Sequence, residues 1–174
     1  MSNFKKPFSD VRMRVGIAWP VSHCTEWHTE ARSGHVYLAA GFFTEEQLTV
    51  CKAVEDLFEE SPWRLHSPRQ VLTLEKDASA VKRSDVFSGN LNALRGSAFV
   101  LARIDDFDPG VLWEMGWAYH AGVPVVAFTT HAARGLNVML QCAVEGFVQG
   151  LHNVRRLVVD QDWDVCTPGY QEVQ

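Results

Sequence analysis

Residues 98–129 read AFVLARIDDFDPGVLWEMGWAYHAGVPVVAFT, two apolar runs joined by a segment of helical length. Ala98–Ala102 is a compact apolar strand. Val123–Thr129 is apolar throughout, as expected of a strand in the middle of a parallel sheet. Between them Asp108 and Pro109 open a helix, Asp as N-cap and Pro at the first helical position, and the helix runs to His120. Strand, helix and parallel strand make one βαβ unit.

The same alternation extends in both directions. Upstream, Val36–Ala40 is an apolar strand closed by Gly41, and Thr44-Glu45-Glu46-Gln47 is a capping box. The helix it opens carries Leu48, Cys51, Val54, Leu57 and Phe58 on one face and ends at Pro62. A second strand is expected within Trp63–Leu74, interrupted by Pro68, and a helix from Ser79 to Leu94 with Phe87, Leu91 and Leu94 at helical spacing. Downstream, a short helix is expected over Asn137–Val144 and a last strand near Leu157–Val159. The pattern predicts a single-domain α/β fold, a doubly wound parallel five-stranded sheet with helices on both faces. Residues 35–174 form that domain, and residues 1–34 are an extension of uncertain structure in which Arg14–Trp19 could be a short strand.

Composition narrows the function. At 174 residues, 47% hydrophobic and 21% charged, the chain reads as one globular domain. A net charge of −5, with no basic run interleaved with aromatics, argues against nucleic acid as partner and favours a small molecule. The polar N-terminus has no signal-peptide core, and no stretch nears the roughly 18 apolar residues of a membrane span. The four dispersed cysteines contain no CxxC pair and fit a cytoplasmic, reduced protein. His23, Cys24 and His28 are metal-ligand types at no zinc spacing, so they read as loop residues. Neither a metal nor a cofactor is expected.

Ligands of doubly wound folds sit beyond the carboxyl ends of the strands, which directs attention to the loops after Ala40, Ala102 and Thr129. Glu114 is the residue hardest to explain structurally. It lies in the second helical turn among Trp113, Met115, Gly116 and Trp117, and Gly110, Val111, Trp117 and Ala118 at helical spacing offer no cation. A carboxylate there is hydrogen-bonded or working. Tyr37, alone among aliphatic neighbours, is either core or a hydroxyl in search of a partner, and Glu114 falls on the same sheet edge. Phe42 and Phe43 could wall a ring-shaped ligand or pack in the core. Asp108 is accounted for as an N-cap, Asn137 as another, and Met139 as a core residue.

Taken together, these segments resemble the nucleoside 2-deoxyribosyltransferase family. VYLAAGFFTEEQ is similar to its first strand and loop, DPGVLWEMGWAYHAGVPVV to its central Glu-x-Gly-x-Ala motif, and LNVML to its Asn-x-Met segment, in order from Val36 to Gln141. The resemblance implies a flavodoxin-like fold and transfer of a 2-deoxyribosyl group between nucleobases. It implies Glu114 as the nucleophile, Tyr37 as the residue that orients it, Asp108 and Phe43 at the base, and Gly41 in the substrate loop. It further implies that Asn137 and Met139 reach the 5'-hydroxyl in a neighbouring subunit's site, within a homo-oligomer, a hexamer built from dimers. The substrates implied are 2'-deoxynucleosides and free nucleobases.

Two positions depart from the family pattern. Asn90 stands where an aspartate usually faces the base, and asparagine donates a hydrogen bond but delivers no proton. Asp85 and Asp108 are the other candidate acids, and Ala98 replaces a second common aspartate. Two alternatives therefore stand beside transfer: an N-glycosidase acting on nucleosides or their 5'-monophosphates, and a non-catalytic nucleoside-binding module. A flavin-binding protein would need a Ser/Thr-rich phosphate loop after the first strand, and none is evident.

Overall fold

The computed structural model describes residues 34–71, 74–75, 77–131 and 137–168. The elements run β1 (His35–Ala39), α1 (Glu45–Glu59), β2 (Arg64–His66), α2 (Pro68–Val71), α3 (Ala80–Arg95), β3 (Phe99–Arg103) and α4 (Pro109–His120). They continue with β4 (Val125–Thr129), α5 (Val138–Ala143), β5 (Gly146–Gln149), α6 (Gly150–Val158), a 3-10 turn (Trp163–Val165) and β6 (Thr167–Pro168). The sheet order is β2-β1-β3-β4-β5-β6. The first five strands are parallel, and the two-residue β6 pairs antiparallel with β5 at the edge.

Side chains alternate across the sheet and divide the core in two. On one face Val36, Leu38, Phe99, Leu101, Val126 and Phe128 meet Val54 and Phe58 of α1 and Val154, Leu157 and Val158 of α6. On the other, Tyr37, Ala39, Val100, Ala102, Val125 and Ala127 meet Leu94 of α3 and Val111, Met115 and Ala118 of α4. The chain leaves β1 toward β2 on one side and returns to β3 on the other. The crevice between the carboxyl ends of β1 and β3 is thus the topological switch point.

One expected element needs correction. Leu157–Val159 is not the last strand. Val154, Leu157 and Val158 recur at helical spacing on α6, and the strand is Gly146–Gln149, whose glycine and glutamine hid it. The second strand expected within Trp63–Leu74 is Arg64–His66, and Pro68 opens a single helical turn after it. In α1, Cys51, Val54 and Phe58 are buried as expected but Leu48 is exposed, and Gln47 and Glu55 are buried with them. Phe87 of α3 is likewise exposed and Leu94 is that helix's buried residue. The strand and ligands considered within residues 1–33 lie outside the described residues. Among those described, no helix is long and apolar enough to cross a membrane.

Candidate active site

Tyr37 and Glu114 are brought together by the pairing of β1 with the α4 side of the sheet. Tyr37 occupies an inward position of β1 and is fully buried. Helix α4 turns Val111, Met115 and Ala118 to the sheet, which sets Glu114 beside that stripe. The phenol donates to Glu114 Oε1 at 2.6 Å, answering the question of its buried hydroxyl. No hydrogen bond reaches Glu114 Oε2 from the described residues.

Burial pushes the Glu114 carboxyl up to about 7; the Tyr37 hydrogen bond works against that rise and the negative charge of Asp108 adds to it. Burial, and then the Glu114 charge, raise the Tyr37 phenol far above its ordinary range, so it stays a donor at any working pH. Asp108 is an N-cap as its sequence context predicts, its Oδ1 accepting from Gly110 N at 2.8 Å and Val111 N at 3.0 Å. Its negative charge is also felt at Glu114.

A third group was not singled out in the sequence. His66, at the carboxyl end of β2, stacks on Tyr37 with ring centroids 5.3 Å apart and planes 13° from parallel. Burial and the nearby His35 lower its pKa, and Asn90 of α3 acts in the opposite sense. The Asn90 contact falls short of a full hydrogen bond: Asn90 Oδ1 and His66 Nε2 are both enclosed without a partner. A histidine closing a strand beside β1 was the available signal, obscured because the sequence set no end for that strand within Trp63–Leu74.

The loop after β1 forms the next wall. Gln47 accepts at Oε1 from Phe43 N (2.7 Å) and Thr44 N (3.1 Å), and its Nε2 donates to Asp106 Oδ2 at 3.0 Å. A Cβ on Gly41 would stand 2.8 Å from Gln47 Nε2, so glycine makes room for this bracket. Phe43 is 74% exposed and stacks on Phe42. Beneath, Arg103 binds Asp105 Oδ2 (2.7 Å) and Glu46 Oε1 (3.0 Å), while Asp105 also accepts from the hydroxyls of Thr129 and Thr130. This network ties the ends of β3 and β4 to the start of α1.

The structure thus gathers Tyr37, Glu114 and Asp108, and sets His66, a neighbour of Asn90, against Tyr37. Asp85 is exposed. Asn137 caps α5 through Leu140 N at 3.1 Å, and Met139 is 76% exposed, so neither belongs to the buried cluster of its own chain. Met139 is therefore not the core residue its pattern suggested. Among the described residues no three His, Cys, Asp or Glu side chains form a metal-binding group.

A half-buried carboxylate held by a tyrosine at a switch point suits nucleophilic attack on an electrophilic carbon. The family model for nucleoside 2-deoxyribosyltransferase matches residues 36–152. A solved 2-deoxyribosyltransferase from the psychrotolerant bacterium Bacillus psychrosaccharolyticus is 27% identical, with a TM-score of 0.64 over 70% of this chain and 90% of that one. A conserved protein from Enterococcus faecalis V583 is 21% identical, with a TM-score of 0.48 over 72% of this chain and 87% of that one. Among curated proteins no match is found. With a family match that runs from β1 into α6 and takes in the Tyr37–Glu114 pair, the chain belongs to the nucleoside 2-deoxyribosyltransferase family.

Proposed function

We propose that this protein exchanges nucleobases on 2'-deoxynucleosides by double displacement at the anomeric carbon, with Glu114 as nucleophile. The observation that carries this reading is the Tyr37–Glu114 hydrogen bond at 2.6 Å, which engages Oε1 and leaves Oε2 without a hydrogen bond from the described residues. In the first step Oε2 bonds to C1', the C1'–N bond breaks, and its electron pair leaves with the base. In the second, a ring nitrogen of the incoming base attacks C1', its proton passes to water, and the carboxylate departs, so configuration is retained. Both steps pass through an oxocarbenium-like state that a nearby carboxylate stabilises.

The remaining residues divide by the part of the substrate they meet. Asn90, Asp108 and Phe43 face the base, and Gly41 leaves room for the substrate at the end of β1. Asn137 and Met139 belong to a neighbouring subunit's site, where they reach the 5'-hydroxyl. Their exposure in the single chain agrees with such a role, as does that of Val138 beside them. The assembly is a homo-oligomer built from dimers, a hexamer in the family's usual form.

The test is a base-exchange assay in which thymidine or 2'-deoxyinosine is incubated with adenine or cytosine and the products are separated by chromatography. A new deoxynucleoside, absent with Glu114→Ala, is expected. Free base and deoxyribose without exchange would make the protein a hydrolase. Binding without turnover, on nucleosides and 5'-monophosphates alike, would leave only a nucleoside-binding module.

A further inference from the structure

Asn90 faces the base in the proposed site and has no proton to deliver, and His66 is the half-buried titratable group beside it. We infer that His66 is a positioning residue for base departure: its imidazole N–H engages Asn90 Oδ1 and thereby turns the Asn90 amide N–H groups toward the leaving base. The inference rests on the deoxyribosyl-transfer reading and deepens it.

Three observations converge. Of the Asn90 polar atoms, the oxygen is the one enclosed without a partner, and the matching orphan is His66 Nε2. A buried acceptor and a buried nitrogen, each costly alone, are both satisfied by one hydrogen bond from Nε2–H to Oδ1. The imidazole is also fixed in plane by its stack on Tyr37, 5.3 Å away and 13° from parallel, so it cannot swing to another partner without disturbing the phenol. Burial and His35 disfavour its protonation, which leaves a neutral ring with a single N–H to place.

The chemistry follows from the amide's orientation. With its oxygen committed to His66, Asn90 presents only donors, so it recognises a base with an acceptor beside the glycosidic nitrogen, O2 of a pyrimidine or N3 of a purine. As the C1'–N bond breaks, its electron pair stays on the base, and the Asn90 N–H stabilises that charge without giving up its proton. The departing base takes a proton from water afterwards. His66 touches no substrate and acts through Asn90 on the base side and through Tyr37 on the nucleophile side.

The experiment is a leaving-group comparison on the full chain. His66→Phe keeps a flat ring on Tyr37 and removes the N–H, whereas His66→Gln keeps an N–H near the Nε2 position and removes the ring. Each is assayed on thymidine against 5-fluoro-2'-deoxyuridine, and on 2'-deoxyinosine against its 7-methyl form, pairs that differ in how much help the base needs. His66→Phe is expected to lose roughly ten- to a hundredfold in kcat on the unactivated member and only about a few-fold on the activated one. His66→Gln should keep the wild-type dependence on leaving group. In an Asn90→Asp background, where the carboxyl can hold its own proton, the His66→Phe loss should shrink. Activity on the activated substrates also certifies that each variant is folded. Equal losses on both members, or no loss at all, would overturn the inference while leaving the transfer reading intact. A wild type that turns over none of the four substrates would overturn both.

Discussion

At the level of single residues, the pair formed by Tyr37 and Glu114 sets the pH behaviour. In the proposed mechanism only the ionised carboxylate attacks, so kcat/KM should fall as pH drops through about 7, the value to which burial lifts Glu114. Tyr37→Phe removes the hydrogen bond that opposes this rise, so the acidic limb of the pH–rate profile should move to higher pH and activity at pH 7 should drop. Glu114→Gln should reduce kcat by roughly a thousandfold or more in the exchange assay. It should also stabilise the protein at alkaline pH. The folded pKa lies above the carboxyl's usual 4.5, so the native state binds the extra proton between the two values. Ionisation therefore weakens folding progressively from about pH 4.5 to 7, and by roughly 3 kcal/mol above pH 7. Thermal denaturation should show Glu114→Gln melting higher than wild type at pH 8, with the gap closing at pH 5. These two residues were legible because each broke its local pattern: a hydroxyl in an aliphatic strand and an unpaired carboxylate in an apolar helix. His66 broke no pattern, since its meaning comes from strand neighbours distant in sequence.

Among the elements, those with one dominant signal were read correctly. The capping box of α1 appears with both of its bonds, and Asp108-Pro109 opens α4 as its chemistry requires. Periodicity failed where an apolar run is too short to separate a strand from a helix end. Leu157-Val158-Val159 is the case in point, because only its spacing from Val154 marks it as helical. The ion network at the carboxyl end of the sheet was also invisible, as Arg103, Asp105 and Glu46 converge from two elements far apart in the chain. Hydrogen bonds from Thr129, Thr130 and Arg103 outweigh the effect of burial and hold Asp105 well below the usual carboxylate range. Asp105→Ala strands the enclosed Arg103 guanidinium with its more exposed partners, and a loss of about 3 kcal/mol is expected in urea denaturation. Gly41→Ala should act more gently. The new methyl displaces the Gln47 side chain, and a loss of about 1 kcal/mol is expected, together with a raised KM, as the loop ahead of α1 loses its bracket.

For the whole molecule, the expected sharing of sites between subunits makes a distinctive prediction. Glu114→Gln and Asn137→Ala chains, each impaired alone, should recover activity when unfolded and refolded together, because mixed assemblies contain some sites with both wild-type residues. Light scattering should at the same time report a species larger than one chain, and Met139→Asp should reduce both its size and the activity. The two sides of the candidate site are anchored very unequally. On the nucleophile side, Tyr37 and Met115 are sealed in the core and the sheet ends are laced together by Arg103 and Asp105. On the base side, α3 spans sixteen residues yet has Leu94 as its one fully buried member. Mutations on α3 therefore encounter little packing resistance, whereas those near Glu114 meet the full rigidity of the core. Under the proposed assignment of the two sides, such a division makes the protein evolvable in one direction: lineages can drift in the nucleobase they accept while the chemistry of the sugar stays fixed.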